Sequence, residues 1–234
     1  FEGGKSMSAA CPEARFLRDV AKHEMTVIRD DGVHRHIRFK QPDSSNMFFD
    51  LVTWPGFLCY SGDMGTYVFQ RTKDMFGFFR KNGRLDGIDR RYWAEKIEAA
   101  DNTGVTRHSH DEFTRQINDW VNQQAEGDKP GDDEPEQLAL WAEAYAELRA
   151  EVESEVLSAD SNEVRCFDAA NDFTHAGDAW KAFHGPDAKF EFTDFWEVDT
   201  KEYTPRFLWC CYALAWGIEQ YDAAKRLAAE AVPA

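Results

Sequence analysis

The 234-residue chain has no apolar run long enough to cross a bilayer. Its longest, Leu208 to Ile218, is about half of the roughly 20 residues a spanning helix needs. No G-x-G-x-x-G, G-x-x-x-x-G-K, G-x-S-x-G or H-E-x-x-H pattern occurs, so the commonest nucleotide, hydrolase and zinc-protease signatures are missing. Ser61-Gly62-Asp63-Met64-Gly65 is therefore not a phosphate loop. Nothing in the sequence compels catalysis, and no cofactor is expected. The five cysteines are odd in number and none forms a C-x-x-C pair, which argues against zinc ribbons and thioredoxin-like chemistry. Cys11, Cys59, Cys166, Cys210 and Cys211 sit in apolar contexts and read as buried, reduced thiols, which suits a cytoplasm. The opening residues do not resemble a secretory signal. Phe1 to Ser6 (FEGGKS) reads as a cloning remnant ahead of a native start at Met7.

Apolar material is abundant: 43% of residues are hydrophobic and 14% aromatic, enough for a substantial core despite the high charge. The net charge of −16 is unevenly placed. Residues 1–131 carry 20 acids and 19 bases, residues 132–163 carry 11 acids and only Arg149, and residues 164–234 carry 12 acids and 7 bases. One short segment supplies most of the imbalance.

The pattern predicts an α+β fold, with an N-terminal antiparallel β-meander and helices followed by a helical C-terminal half. A short helix runs from Cys11-Pro12 to about Lys22. Strand character follows, with a hairpin at Asp31-Gly32, a return over Val33–Phe39, and strands over Met47–Thr53, Phe57–Tyr60 and Thr66–Gln70. Helices are expected over Asp74–Lys81, Arg90–Ala100, from the capping box Ser109-x-x-Glu112 to about Gln124, over Glu134–Leu157 and over Thr204–Ala229. The last opens with Thr204-Pro205 and is apolar on every side from Phe207 to Ile218, which places it at the centre of the core. Residues 125–133 (AEGDKPGDD) read as a linker between a sheet-plus-helices half, 7–124, and a helical half, 134–234, packed together as one body.

The acidic helix is the most specific feature. On a helical wheel Leu138, Trp141, Tyr145, Leu148, Val152 and Val156 form one stripe, and Glu136, Glu143, Glu147 and Glu151 fall opposite. Four-residue steps rise about 6 Å each, close to the spacing of phosphates on a nucleic-acid strand. With Asp132 and Asp133, such a carboxylate row could occupy a basic groove built for a nucleic-acid backbone, while itself repelling nucleic acid. The bland alternative is a solvated face.

Other constellations are weaker. His108-Ser109-His110-Asp111 resembles the H-x-H-x-D run of metallo-hydrolases, but the spacing is off and Ser109 is committed to capping, so an exposed helix start is expected rather than a metal site. Asp172, His175 and Asp178 are spaced for one helical face, although Gly177 weakens that helix. Arg29, His34, Arg35, His36, Arg38 and Lys40 make one basic patch on the hairpin. Asp50, Tyr60, Asp63 and Arg71 are expected near strand ends, where sites often lie.

The stretches NMFFDLVTWPGFLCYSGDMGTYVFQRTKDMFGFFR (Asn46 to Arg80) and FLWCCYALAWGIEQYDAAK (Phe207 to Lys225) resemble a family of accessory proteins encoded by bacteriophages and prophages. The likeness covers most of the chain after Met7. It includes no catalytic motif, so no functional residue carries over. It implies a host-cytoplasm setting and a role of the kind often directed against host defences, including CRISPR systems. The expected function is thus an acidic, non-enzymatic, anti-CRISPR-like inhibitor that blocks a host nucleic-acid-handling complex by charge mimicry. The alternatives are a metal-dependent enzyme acting on nucleotides or nucleic acid, and a virion structural or assembly factor.

Overall fold

The computed structural model describes residues 11–80 and 87–231; Phe1 to Ser6, Met7 and Lys81 lie outside them. Over that range the α+β expectation holds: a six-stranded antiparallel sheet is followed by a mainly helical half. No helix among the described residues is long and apolar enough to cross a membrane.

The sheet is a simple meander in sequence order: β1 (Glu24–Asp31), β2 (His34–Lys40), β3 (Phe48–Trp54), β4 (Phe57–Gly62), β5 (Gly65–Gln70) and β6 (Ile97–Ala100). Tight turns at Gly32 and Gly56 use positive φ of 60° and 87°, conformations glycine adopts without a Cβ penalty. Alternation assigns the faces. Arg35, Ile37, Phe39, Phe49, Leu51, Leu58, Tyr60, Tyr67 and Phe69 point inward and are buried.

What covers them arrives last in the chain. Helix α8 (Pro205–Glu230) starts at Thr204, whose hydroxyl accepts from the Phe207 amide at 3.2 Å. Its aromatic rings lie over the strands: Trp216 meets Phe39 at 5.2 Å between centroids, Trp209 meets Phe49 at 5.6 Å, and Phe207 meets Tyr67 at 5.7 Å. Gly217 marks the closest approach, since a Cβ there would stand 3.0 Å from both Leu51 and Phe39. Three short helices close the flanks. From α1 (Glu13–Val20), Phe16 contacts Trp209 and Tyr212. From α2 (Met75–Phe79), Phe76 meets Tyr221, and Phe79 meets Trp93 of α3 (Arg90–Ala94). The central position expected for Phe207–Ile218 is what the structure has.

Three expectations need correction. Arg90–Ala100 is not one helix: the chain turns after Ala94 and Ile97–Ala100 pairs with β5 as β6. Residues 125–133 do not begin with a break, because α4 (His110–Asp128) continues through Gly127. The chain also divides elsewhere: one unit is Phe1–Arg107 with Tyr203–Ala234, and the other is His108–Glu202. The crossings run through β7 (Thr106–His108) and β10 (Lys201–Tyr203). The second unit holds α4, α5 (Pro135–Val152) with a π-helical turn at Glu153–Leu157, α6 (Glu163–Asp172), β8 (Thr174–His175), α7 (Asp178–His184), β9 (Phe190–Glu191) and a 3₁₀ turn at Phe195–Glu197. Its own core contains Phe113, Ile117, Tyr145, Leu148, Trp180 and Phe195.

Of the five cysteines, Cys11, Cys166, Cys210 and Cys211 are buried as expected. Cys59 is half-buried on the outer sheet face, and all five are free thiols.

Replacing Gly217 by Val forces two methyls into the contact with Leu51 and Phe39. The expected loss is about 1–3 kcal/mol, read as a lower midpoint in chemical denaturation; an unchanged midpoint would show the interface to be looser than described.

Candidate functional site

The new boundaries sharpen the charge distribution. His108–Glu202 contains 25 acidic and 7 basic residues, a net of −18, whereas the rest of the chain contains 18 acids and 20 bases, a net of +2. The whole excess of negative charge belongs to the second unit.

Within it, α5 opens with Pro135 at its first turn and buries Ala144, Tyr145, Leu148 and Val152. The Trp141 indole donates to the Ala125 carbonyl at 3.0 Å, seating α5 on α4. The π-helical turn that follows brings Val156 into the core. Asp132, Asp133, Glu136 and Glu143 are exposed, as the wheel predicts. Glu147 and Glu151 depart from the row. Both turn toward His175, which is completely buried.

Glu151 forms a hydrogen bond with His175 Nδ1. A carboxylate only accepts, so Nδ1 carries the hydrogen. Glu147 Oε2 lies 3.8 Å from His175 Nε2 and accepts from the backbone amides of Ala179 at 3.1 Å and Trp180 at 3.4 Å. Those amides belong to the first turn of α7, whose N-cap residue Gly177 supplies no side-chain cap. Glu147 thus caps a helix 30 residues further along the chain, where its negative charge also meets the positive end of the peptide dipoles. Gly177 makes this approach possible, since a Cβ there would sit 2.3–2.6 Å from the Glu147 carboxylate.

The clasp continues through Trp180, whose ring lies 5.6 Å from His175 and 4.0 Å from His184. His184 Nε2 stands 3.7 Å from Asp128 Oδ2, and Asp128 accepts from the Gln124 amide at 2.9 Å and from the Tyr145 hydroxyl. Burial, followed by the neighbouring Asp128 carboxylate, pushes the Tyr145 phenol far up. Burial lowers His184, opposed by Asp128. His175 with Glu151 has the form of an oriented base, and its other nitrogen faces Glu147 within the fold. The arrangement holds α7 to α5.

The other sequence candidates separate. His108 Nδ1 lies 3.0 Å from Thr200 Oγ1, and His110 Nδ1 lies 3.6 Å from Cys166 Sγ, so both rings are half-buried and engaged rather than part of an open helix start. Ser109 does cap, accepting from the Glu112 amide at 3.3 Å. Burial raises the Cys166 thiol, the opposite of what a nucleophile needs. Asp172 ends α6, His175 is on β8 and Asp178 begins α7, so the three do not share a helical face. The hairpin's basic patch is largely neutralised. Arg35 points inward to Asp74 at 2.8 and 3.1 Å, Arg38 pairs with Asp50 at 2.8 and 2.7 Å, and Arg29 pairs with Asp31 at 3.3 Å. Asp50 is mid-strand and Tyr60 is buried, not at strand ends.

Truncating His175 to Ala strands Glu151 and opens a cavity, with an expected loss of about 2–4 kcal/mol. A variant as stable as the parent in urea would show the clasp to be idle. Acid should weaken the fold in a defined window. Burial holds His23, His108 and His184 below the ordinary imidazole value. The folded state therefore takes up fewer protons than the unfolded chain. Stability is complete above about pH 6.5 and is lost as pH falls through that value toward the depressed ones. The thermal midpoint should drop between pH 7.5 and 5.5, and a His23→Gln/His108→Gln/His184→Gln variant should show a flatter profile; an equally steep one would assign the dependence to other groups.

No family model, curated protein or solved structure matches the chain, so its functional reading rests on residues and geometry.

Proposed function

We propose that the unit His108–Glu202 is an acidic decoy that occupies a cationic nucleic-acid channel on a host defence complex, a CRISPR effector or a machine of that kind, and blocks nucleic-acid access. The observation that carries this reading is the segregation of charge, with a net of −18 in one unit and +2 in the rest. A concentrated field of one sign steers association with a surface of the other, and it disfavours nucleic acid itself as a partner. A phage accessory origin, the expectation drawn from Asn46–Arg80 and Phe207–Lys225, would put such a target in the host cytoplasm.

The mimicry differs in form from a ladder of carboxylates at phosphate pitch. Glu147 and Glu151 are committed to His175 and to the start of α7, so α5 offers the partner Glu136 and Glu143, next to Asp132 and Asp133. The alternative of a metal-dependent enzyme calls for a cluster of metal ligands. Among the described residues no three His, Cys, Asp or Glu side chains converge as a metal ion requires.

Asp132→Lys, Asp133→Lys, Glu136→Lys and Glu143→Lys together should weaken binding to a purified effector complex at least tenfold at low salt, leaving the melting temperature within a few degrees. Wild-type binding should fall steeply with ionic strength. Inhibition that survives the fourfold reversal undiminished would sink the decoy mechanism.

A further inference from the structure

Two large apolar side chains of the acidic unit stand in solvent: Val164 on α6 is 65% exposed, and Trp196 in the 3₁₀ turn is 63% exposed. Every other large apolar residue of this unit is buried or half-buried. The two belong to one junction. Phe167, one helical turn beyond Val164, meets Phe195, the chain neighbour of Trp196, at 5.7 Å between ring centroids.

The turn is fixed rather than loose. Phe192, just before it, and Phe195, its first residue, are in the core, and Phe195 also packs on Phe113 and Trp120. Asp194 between them takes a left-handed φ of 54°, uncommon for a residue with a side chain. Packing that imposes this backbone also projects the next-but-one residue, an indole, into water. In the segments that form the junction Glu163, Asp168, Asp194, Glu197 and Asp199 are exposed, with Arg165 and Lys201 as exposed cations beside them. An aromatic anchor ringed by charge has the composition of a protein interface, in which a few such residues carry most of the binding energy.

We infer that the α6–Trp196 face is where the acidic unit docks on its protein partner, with Trp196 entering an apolar pocket bordered by Lys and Arg side chains. This inference rests on the decoy reading and gives it a contact point. Charge complementarity selects the occupant. Nucleic acid and an anionic bilayer are repelled by a unit of net charge −18, and a second copy would set this face against its own sign.

The test uses the full chain and the purified effector complex, with affinity read by interferometry and folding by circular dichroism. Trp196→Ala should lower affinity at least tenfold with an unchanged melting curve, Val164→Ser should lower it less, and Trp196→Phe should retain most of it. Wild-type binding that Trp196→Ala leaves intact overturns the docking face alone and spares the decoy reading. Absence of saturable binding by the wild type overturns both. A dimer in light scattering that Trp196→Ala dissolves also overturns the inference, in favour of self-association.

Discussion

The sheet of this protein has one buried face, and the element that buries it is α8. Phe39, Phe49, Tyr60 and Tyr67 form a continuous aromatic surface on β2 to β5 that meets Phe207, Trp209 and Trp216 from the last helix. A meander with one apolar face gains little stability until something packs on it. Asp19, Asp30 and Asp222 then fix the helix at its surroundings: the Trp209 indole donates to Asp19 at 3.1 Å, Tyr221 and Lys225 both donate to Asp30 at 2.8 Å, and Arg80 forks onto Asp222 at 2.8 and 3.0 Å. Since the helix follows Glu202, the second unit is inserted in the chain between two segments of the first.

That placement gives the charge distribution its meaning. A unit bounded on both sides by one fold can vary its surface without touching the core of its host, because its own hydrophobic cluster is separate. It can therefore hold a charge that would weaken a sheet whose arginines are already paired with aspartates. The like-charge repulsion is met locally. Two of its carboxylates are spent on His175 and α7, others on Arg115, which lies between Glu112 and Asp119. Asp128 is held by Gln124, Tyr145 and His184, and Glu191 pairs with Lys189.

How much of this could be read from residues alone follows the range of the interactions. The hairpin at Asp31-Gly32, the Ser109 cap and both ends of α8 are set by neighbours a few positions away, and they were legible. Ile97–Ala100 was not, because Ile-Glu-Ala-Ala favours a helix slightly and only pairing with Tyr67–Phe69 makes it a strand. Ala125–Asp128 has the composition of a linker, yet Asp128 is held by Gln124, Tyr145 and His184, and the helix persists. Glu147 and Glu151 sat in the predicted stripe, but the partner that turns them inward lies 24 and more residues downstream. A wheel cannot see it. The division into units was hidden for the same reason, since it joins segments nearly 100 residues apart in the chain.

The order of the elements also matters while the chain is being made. The strands leave the ribosome before the 95 residues of the inserted unit, and their covering helix leaves after them. At typical translation rates the aromatic face waits roughly 5–20 s without its lid. The acidic unit, whose hydrophobic cluster is its own, can complete that cluster in the interval, and its strong negative charge then keeps the nascent chain apart from its neighbours while the sticky sheet is still open.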